Sequence, residues 1–209
     1  MQRFSVHPVT PQRRLMQQAA TLLRGGALVA MPTDACYVLA CQIGDKAALE
    51  RMRRLRGIDE KQLLSLLCRD LSELSQHAQV DNRQYRFLRE RTPGAYTFIL
   101  PATKEVPRRL LHPSRKTVGL RVPDSAIVQA LLEEFGQPVI CSTLILPGDD
   151  HPMTDPDEMQ ERLSRQIELL IDGGAGRLEP TTVIDMTGDE PLVTRVGLGP
   201  VDRMAVAAS

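Results

Sequence analysis

The chain is expected to fold as one α/β domain, a mixed sheet with helical cover. Three observations carry that expectation. Short apolar runs of the kind that form strands alternate with segments whose apolar residues recur at helical spacing. The last strand candidates, Ile167 to Ile171, Thr182 to Met186 and Leu192 to Val196, follow one another too closely for crossover helices, so some pairs must run antiparallel. A length of 209 residues, 42% apolar and 25% charged, suffices for one buried core and matches ordinary globular usage. The domain is expected to span 1–209, with its core over about 12–200 and short tails at both ends.

Thr10 and Pro11 read as the cap and first turn of a helix carrying Leu15, Met16, Ala19, Ala20, Leu22 and Leu23, which Gly25 and Gly26 stop. Ala27 to Met31 and Cys36 to Cys41 are unbroken apolar strands split by Pro32, Thr33 and Asp34; the proline ends pairing and leaves a hydroxyl and a carboxylate at a strand end. Asp45 caps a helix through Leu55 whose outer face is cationic. Leu63 to Cys68 is a third strand, Asp70 or Ser72 opens a short helix, and Asp81 caps a basic one with Tyr85 and Leu88. Pro93 and Gly94 precede the strand Ala95 to Leu100. In Thr117 to Val122, alternation sets Gly119 and Arg121 on one face and Leu120 and Val122 on the other. Ser125 caps a helix ending at Gly136, Val139 to Cys141 is a strand, and Asp155 with Pro156 starts the last helix.

No apolar run approaches membrane-spanning length and the first residues lack a signal-peptide core, so a cytoplasmic protein with no membrane partner is expected. Cys36, Cys41, Cys68 and Cys141 sit in or beside apolar runs without ligand spacing, as buried thiols would, and no metal ligand set is expected. Net charge is zero but unevenly spread. Ten basic residues against Glu90 and Glu105 occupy Arg83 to Arg121, and twelve acidic ones against Arg162, Arg165 and Arg177 occupy Asp149 to Glu190.

Hydroxyls recur where strands stop, at Thr33, Ser142, Thr143, Thr181 and Thr182, and two strands carry an arginine among apolar neighbours, Arg121 and Arg195. A buried guanidinium needs an anionic partner, either a ligand carboxylate or phosphate, or an internal Asp or Glu. Phosphate-loop, dinucleotide, nucleophile-elbow and zinc-protease motifs are absent, and the four histidines are scattered. The residues themselves therefore lead to an anion site of hydroxyls and arginines, with no catalytic residue assigned.

The words Pro32-Thr33-Asp34 with Tyr37, PGAYTFIL at Pro93 to Leu100, KEVPRRLL at Lys104 to Leu111, GLRVPDS at Gly119 to Ser125, ICST at Ile140 to Thr143, PTTVIDM at Pro180 to Met186, and Arg195 with Gly197 resemble the YrdC/YciO family, most closely its YciO branch. That resemblance implies a twisted open sheet, mixed parallel and antiparallel, with helices on both faces. It implies a cavity facing an electropositive surface that takes double-stranded RNA or tRNA, and a threonylcarbamoyl-AMP synthase-like domain using ATP or AMP with Mg2+. On the matching positions, Thr33, Arg121 and Thr181 would take the threonine, and Arg56, Ser142, Thr143 and Arg195 the nucleotide. The RNA-facing surface would comprise Arg54, Arg86, Arg89, Lys104, Arg108, Arg109, Arg115 and Lys116. The chain departs from the synthases at three places, one of them Val38, which stands where a glycine is usual. Arg56, Gly57 and Ile58 stand for their Lys-x-Arg, with Lys61 a shifted substitute, and Thr143, Leu144 and Ile145 stand for their Ser-x-Asn. Two readings stay open: a nucleotidyltransferase-like protein of tRNA threonylcarbamoyladenosine metabolism, or an RNA-binding protein without synthase activity and with an altered small-ligand cavity.

Overall fold

In this computed structural model the described residues, 1–62, 64–202 and 204–207, form one eleven-stranded sheet and six α-helices. In chain order these are β1 (Gln2–Ser5), α1 (Arg13–Arg24), β2 (Val29–Met31), β3 (Val38–Gln42), α2 (Lys46–Arg56), β4 (Ser65–Leu67), α3 (Leu71–His77), α4 (Asn82–Arg89), β5 (Tyr96–Pro101), β6 (Thr117–Arg121), α5 (Ala126–Phe135), β7 (Val139–Thr143), α6 (Pro156–Leu163), β8 (Leu169–Asp172), β9 (Thr182–Asp185), β10 (Leu192–Arg195) and β11 (Ala205–Val206). A 3-10 turn, Arg108–Leu110, lies in the loop between β5 and β6. The spatial order is β1-β8-β2-β3-β7-β4-β6-β5-β9-β10-β11. Parallel pairs such as β4 with β6 sit beside antiparallel ones such as β3 with β7, as the spacing of the runs requires.

Local chemistry accounts for most of these elements. Asp45, Asp70, Asp81, Ser125 and Asp155 each accept a first-turn backbone N–H, a contribution of about 1 kcal/mol per cap. Thr10 does not cap α1. Its amide and its hydroxyl both lie 3.0 Å from His7 Nδ1, and the helix begins at Arg13 behind Gln12.

The tails expected outside 12–200 carry the strands β1 and β11, which extend the sheet at its two edges. Phe4 is 8% exposed, so β1 is anchored by burial as well as by pairing. The strand expected over Leu63 to Cys68 is β4, shorter at both ends, and Leu63 lies outside the described residues. The strand expected to stop at Cys141 continues to Thr143, because Ser142 pairs with Leu39 and Thr143 with Val38.

Two apolar clusters flank the sheet. Met16 and Leu23 of α1 and Ile127 and Leu131 of α5 pack on Val29, Ala40, Cys141 and Leu169. On the opposite face, Leu49 and Met52 of α2 and Met159 and Leu163 of α6 pack with Leu39, Leu66, Phe98 and Leu120. Each fully buried side chain of this kind contributes roughly 1.5–3 kcal/mol. The cluster beneath α1 and α5 contains no residue of β6, β5 or β9. That half of the face is therefore left without apolar cover, and it positions the site. Among the described residues no helix is long and apolar enough to cross a membrane.

Candidate functional site

Alternation decides what rises from the uncovered half-face. Phe98 and Leu120 enter the core on one side, so Thr97, Gly119 and Arg121 project from the other. A Cβ at Gly119 would lie 2.7 Å from Ser65 Oγ and 3.2 Å from the Leu64 carbonyl, so this position stays bare and the floor between Ser65 and Thr97 stays low. Arg121 stands at the end of that floor.

Arg121 is 5% exposed and donates to Asp34 Oδ1 at 2.7 Å and to Thr33 Oγ1 at 3.3 Å. The second Asp34 oxygen accepts the Asp124 N–H at 3.0 Å. The Thr33 hydroxyl also donates to the Cys36 carbonyl at 2.8 Å and accepts the Ala35 N–H at 3.0 Å, which uses its one hydrogen and both lone pairs. Thr33 therefore holds Arg121 in place and has no bond left for a ligand. Arg121 Nε is buried with no partner among the described residues.

At the neighbouring edge, Arg195 rests on the Thr181 carbonyl at 3.0 and 3.2 Å and on the Thr181 hydroxyl at 3.2 Å. That hydroxyl is 2.7 Å from the one of Thr97, in a buried pair. Gly197 makes this seating possible: a Cβ there would collide with the Pro180 carbonyl oxygen, so only glycine lets the chain beyond Arg195 lie against Pro180 and Thr181. Among the described residues no carboxylate pairs with Arg195. Contrary to the expectation of a buried strand arginine, Arg195 is exposed, because β10 buries only Val193; partial desolvation and the charge of Arg121 still lower its pKa. The charges of both guanidiniums act on the Cys36 thiol. Thr33, Arg121, Thr181 and Arg195 thus come together. A cavity of 550 Å3 is lined by Thr33 and Asp34, with Gly94, Asp124 and Gly173 on its walls, and Arg121, Thr181 and Arg195 lie outside that lining.

Burial outweighs those two positive charges at Cys36, whose pKa rises to about 11, and desolvation raises Cys41 to about 12 and Cys141 to about 11. All four thiols are buried. They are expected to resist iodoacetamide at pH 8 in the folded protein and to react fully in denaturant; rapid alkylation of Cys36 in the native state would contradict this.

Arg56 forms a separate pair. It ends α2 and donates through Nε to Ser142 Oγ at 3.1 Å, half-buried, and desolvation lowers its pKa. Ser142 lies opposite Leu39, which packs under α2, so the pair faces away from Arg121. Thr143, opposite Val38, belongs to the Arg121 side. Ile58 packs against the α2-side core, Ile145 is half-buried, and Lys61 is exposed.

The eight basic residues expected to face RNA are all exposed, but they occupy three places. Arg86 and Arg89 ride on α4, and Arg54 on α2, on the side where Leu88 and Met52 enter the core. Lys104, Arg108, Arg109, Arg115 and Lys116 lie in the loop entering β6 at Thr117, roughly 13 Å along the strand from Arg121 at about 3.3 Å per residue. Arg53 joins two of the groups by donating to the Arg109 carbonyl at 3.0 Å, and Arg115 lies 3.9 Å from Asp185. Sequence reasoning did not assign Asp34 and Thr97 to the site. Asp34 was signalled, since it stands at a strand end and a buried arginine calls for an acid; nothing local marks Thr97.

Comparison with known proteins places this geometry in context. The Sua5/YciO/YrdC family model, described as "Telomere recombination", matches residues 21–197. YciO of Escherichia coli (strain K12) is 50% identical over 198 residues, 95% of this chain and 96% of that one. The crystal structure of E. coli YciO superposes with a TM-score of 0.93 at 49% identity, covering 96% of this chain and 98% of that one. More distant relatives are threonylcarbamoyl-AMP synthases, such as that of Mus musculus, 31% identical over 173 residues, 81% of this chain and 60% of the relative. The P. abyssi Sua5 structure complexed with L-threonine has a TM-score of 0.89 at 26% identity, covering 99% of this chain and 63% of that one. The sequence words, the mixed open sheet and these matches agree: the chain belongs to the Sua5/YciO/YrdC family.

Proposed function

We propose that this chain binds a small carboxylate of the L-threonine class together with a nucleotide, and double-stranded RNA or tRNA on its basic surface, in tRNA threonylcarbamoyladenosine metabolism. The observation that carries the reading is the buried Arg121 at the end of a low floor, with Arg195, exposed and among the described residues without an acid, near enough for both charges to act on Cys36. An exposed guanidinium with no acid beside it is open to an anionic ligand. Arg121 and Thr181 take the amino acid, and Arg195 and Thr143 face the phosphates, with Arg56 and Ser142 at the far side of β7. The threonine complex of the P. abyssi relative and the synthases among the more distant relatives support the ligand class. Among the described residues no three His, Cys, Asp or Glu side chains cluster as a metal site, so Mg2+ would arrive on the ATP phosphates.

Isothermal titration with L-threonine and with ATP or AMP tests the small-ligand half, and absence of binding by all of them would remove it. For duplex RNA, affinity is expected to fall about 10²-fold between roughly 50 and 200 mM salt if about four phosphates are neutralised; a flat salt series would remove the RNA half. A second reading, RNA binding without synthase activity, is favoured by the apolar Ile58 and Ile145 and by the fully used Thr33 hydroxyl. AMP and pyrophosphate release from ATP, threonine and bicarbonate separates the two.

A further inference from the structure

A second cavity, of 710 Å3, lies between α4, the turn 186–191 that joins β9 to β10, and the start of β11. None of Thr33, Arg121, Thr181 and Arg195 lines it. Its apolar walls are Phe87, Met186, Pro191, Met204 and Ala205. Hydrogen bonds fix α4 to the turn across it: Arg83 donates to the Asp189 carbonyl at 3.1 Å and to the Glu190 carboxylate, and Gln84 donates to the Met186 carbonyl at 2.8 Å. The volume falls in the range of small-molecule sites, roughly 300–1,000 Å3.

The charged groups of this lining are Asp81, Arg83, Asp189 and Glu190. Arg83 and Glu190 pair and cancel. Asp81 accepts the Gln84 N–H at 2.7 Å as the cap of α4 and keeps its charge, and the Asp189 carboxylate has no partner among the described residues. Arg91, whose guanidinium lies 3.8 Å over the Phe87 ring, is itself paired with Glu90 at 3.1 Å. Two uncompensated carboxylates therefore stand beside an apolar wall. They repel carboxylates and phosphates and attract a cation, while the wall, with two pliable methionines, takes an apolar body.

We propose that this cavity is a binding site for a small organic cation, a protonated amine on an apolar body. The ammonium group lies toward Asp81 and Asp189, and the body rests on Phe87, Met186 and Met204. The site is separate from the arginines and does not depend on the function proposed above. It also takes the opposite sign of ligand, so an anion that binds at Arg195 has no affinity here.

Met186 and Met204 serve as reporters in the wall. In protein labelled with 13C at the methionine methyl groups, their resonances are assigned through Met186→Leu and Met204→Leu and followed at neutral pH during titration with 2-phenylethylamine, 2-phenylethanol or phenylacetate. These probes share an aromatic body and carry a positive, a zero and a negative charge. The amine is expected to shift both resonances and to bind about threefold or more tightly than the alcohol, with phenylacetate weakest, as screened charges near a protein surface allow. Asp189→Asn, which loses no side-chain partner, is expected to bind the amine about threefold or more weakly and the alcohol unchanged. Resonances silent to the amine overturn the proposal, as do equal affinities for amine and alcohol, or amine binding unchanged in Asp189→Asn. Should that variant fail to fold, the wild-type order of the three probes decides. Absence of L-threonine, nucleotide or RNA binding counts against the proposed function alone.

Discussion

Arg121→Ala is expected to abolish L-threonine and acetate binding and to destabilise the fold by about 3–5 kcal/mol. The loss comes from the partner left behind: Asp34, 8% exposed, keeps the Asp124 N–H but loses the cation that justified its burial. At about 2–4 °C per kcal/mol for a chain of this size, the melting temperature should drop by roughly 6–20 °C. Adding Asp34→Ala should return part of that loss, because the stranded carboxylate is gone, and the shortfall from additivity measures the coupling of the pair. Calorimetric titration and thermal melts check both. Full ligand binding by Arg121→Ala would assign the arginine to structure and remove it from the ligand site.

The second large effect is a gain. Ile58→Arg combined with Ile145→Asn is expected to raise release of AMP and pyrophosphate from ATP, L-threonine and bicarbonate by about 10²-fold or more, since one aimed charge or donor stabilises developing phosphate charge by several kcal/mol. Ile58 packs at the rim of the core, so the double variant should also melt somewhat lower. Initial rates at saturating ATP decide the matter. A rate equal to that of the starting protein would show that these two positions are not what separates this chain from the synthases.

Much of the framework was legible because its signals are local. An Asp or Ser two or three residues before a free amide, a glycine after the last apolar contact and an unbroken apolar run each act over a few residues, and they located α2 to α6 and most strands. Edge strands were not legible. β1 and β11 are 4 and 2 residues long, too short to show a period, and β1 forms only because β8 offers an unpaired edge more than 160 residues later. The extension of β7 to Thr143 likewise depends on pairing with β3.

For the site, the expectation of a buried strand arginine failed for Arg195, which is exposed on β10. The chain alone did determine that Arg121 sits in a buried strand where a guanidinium needs an anion, and that hydroxyls and a carboxylate cluster at strand ends. It could not say which anion. Tertiary structure made that choice by bringing Asp34 onto Arg121 across 87 residues while leaving Arg195 on a carbonyl. The physical reason is range. Capping and periodicity are settled between near neighbours in sequence, whereas the partner of a buried charge is whichever group the sheet order delivers within about 3 Å.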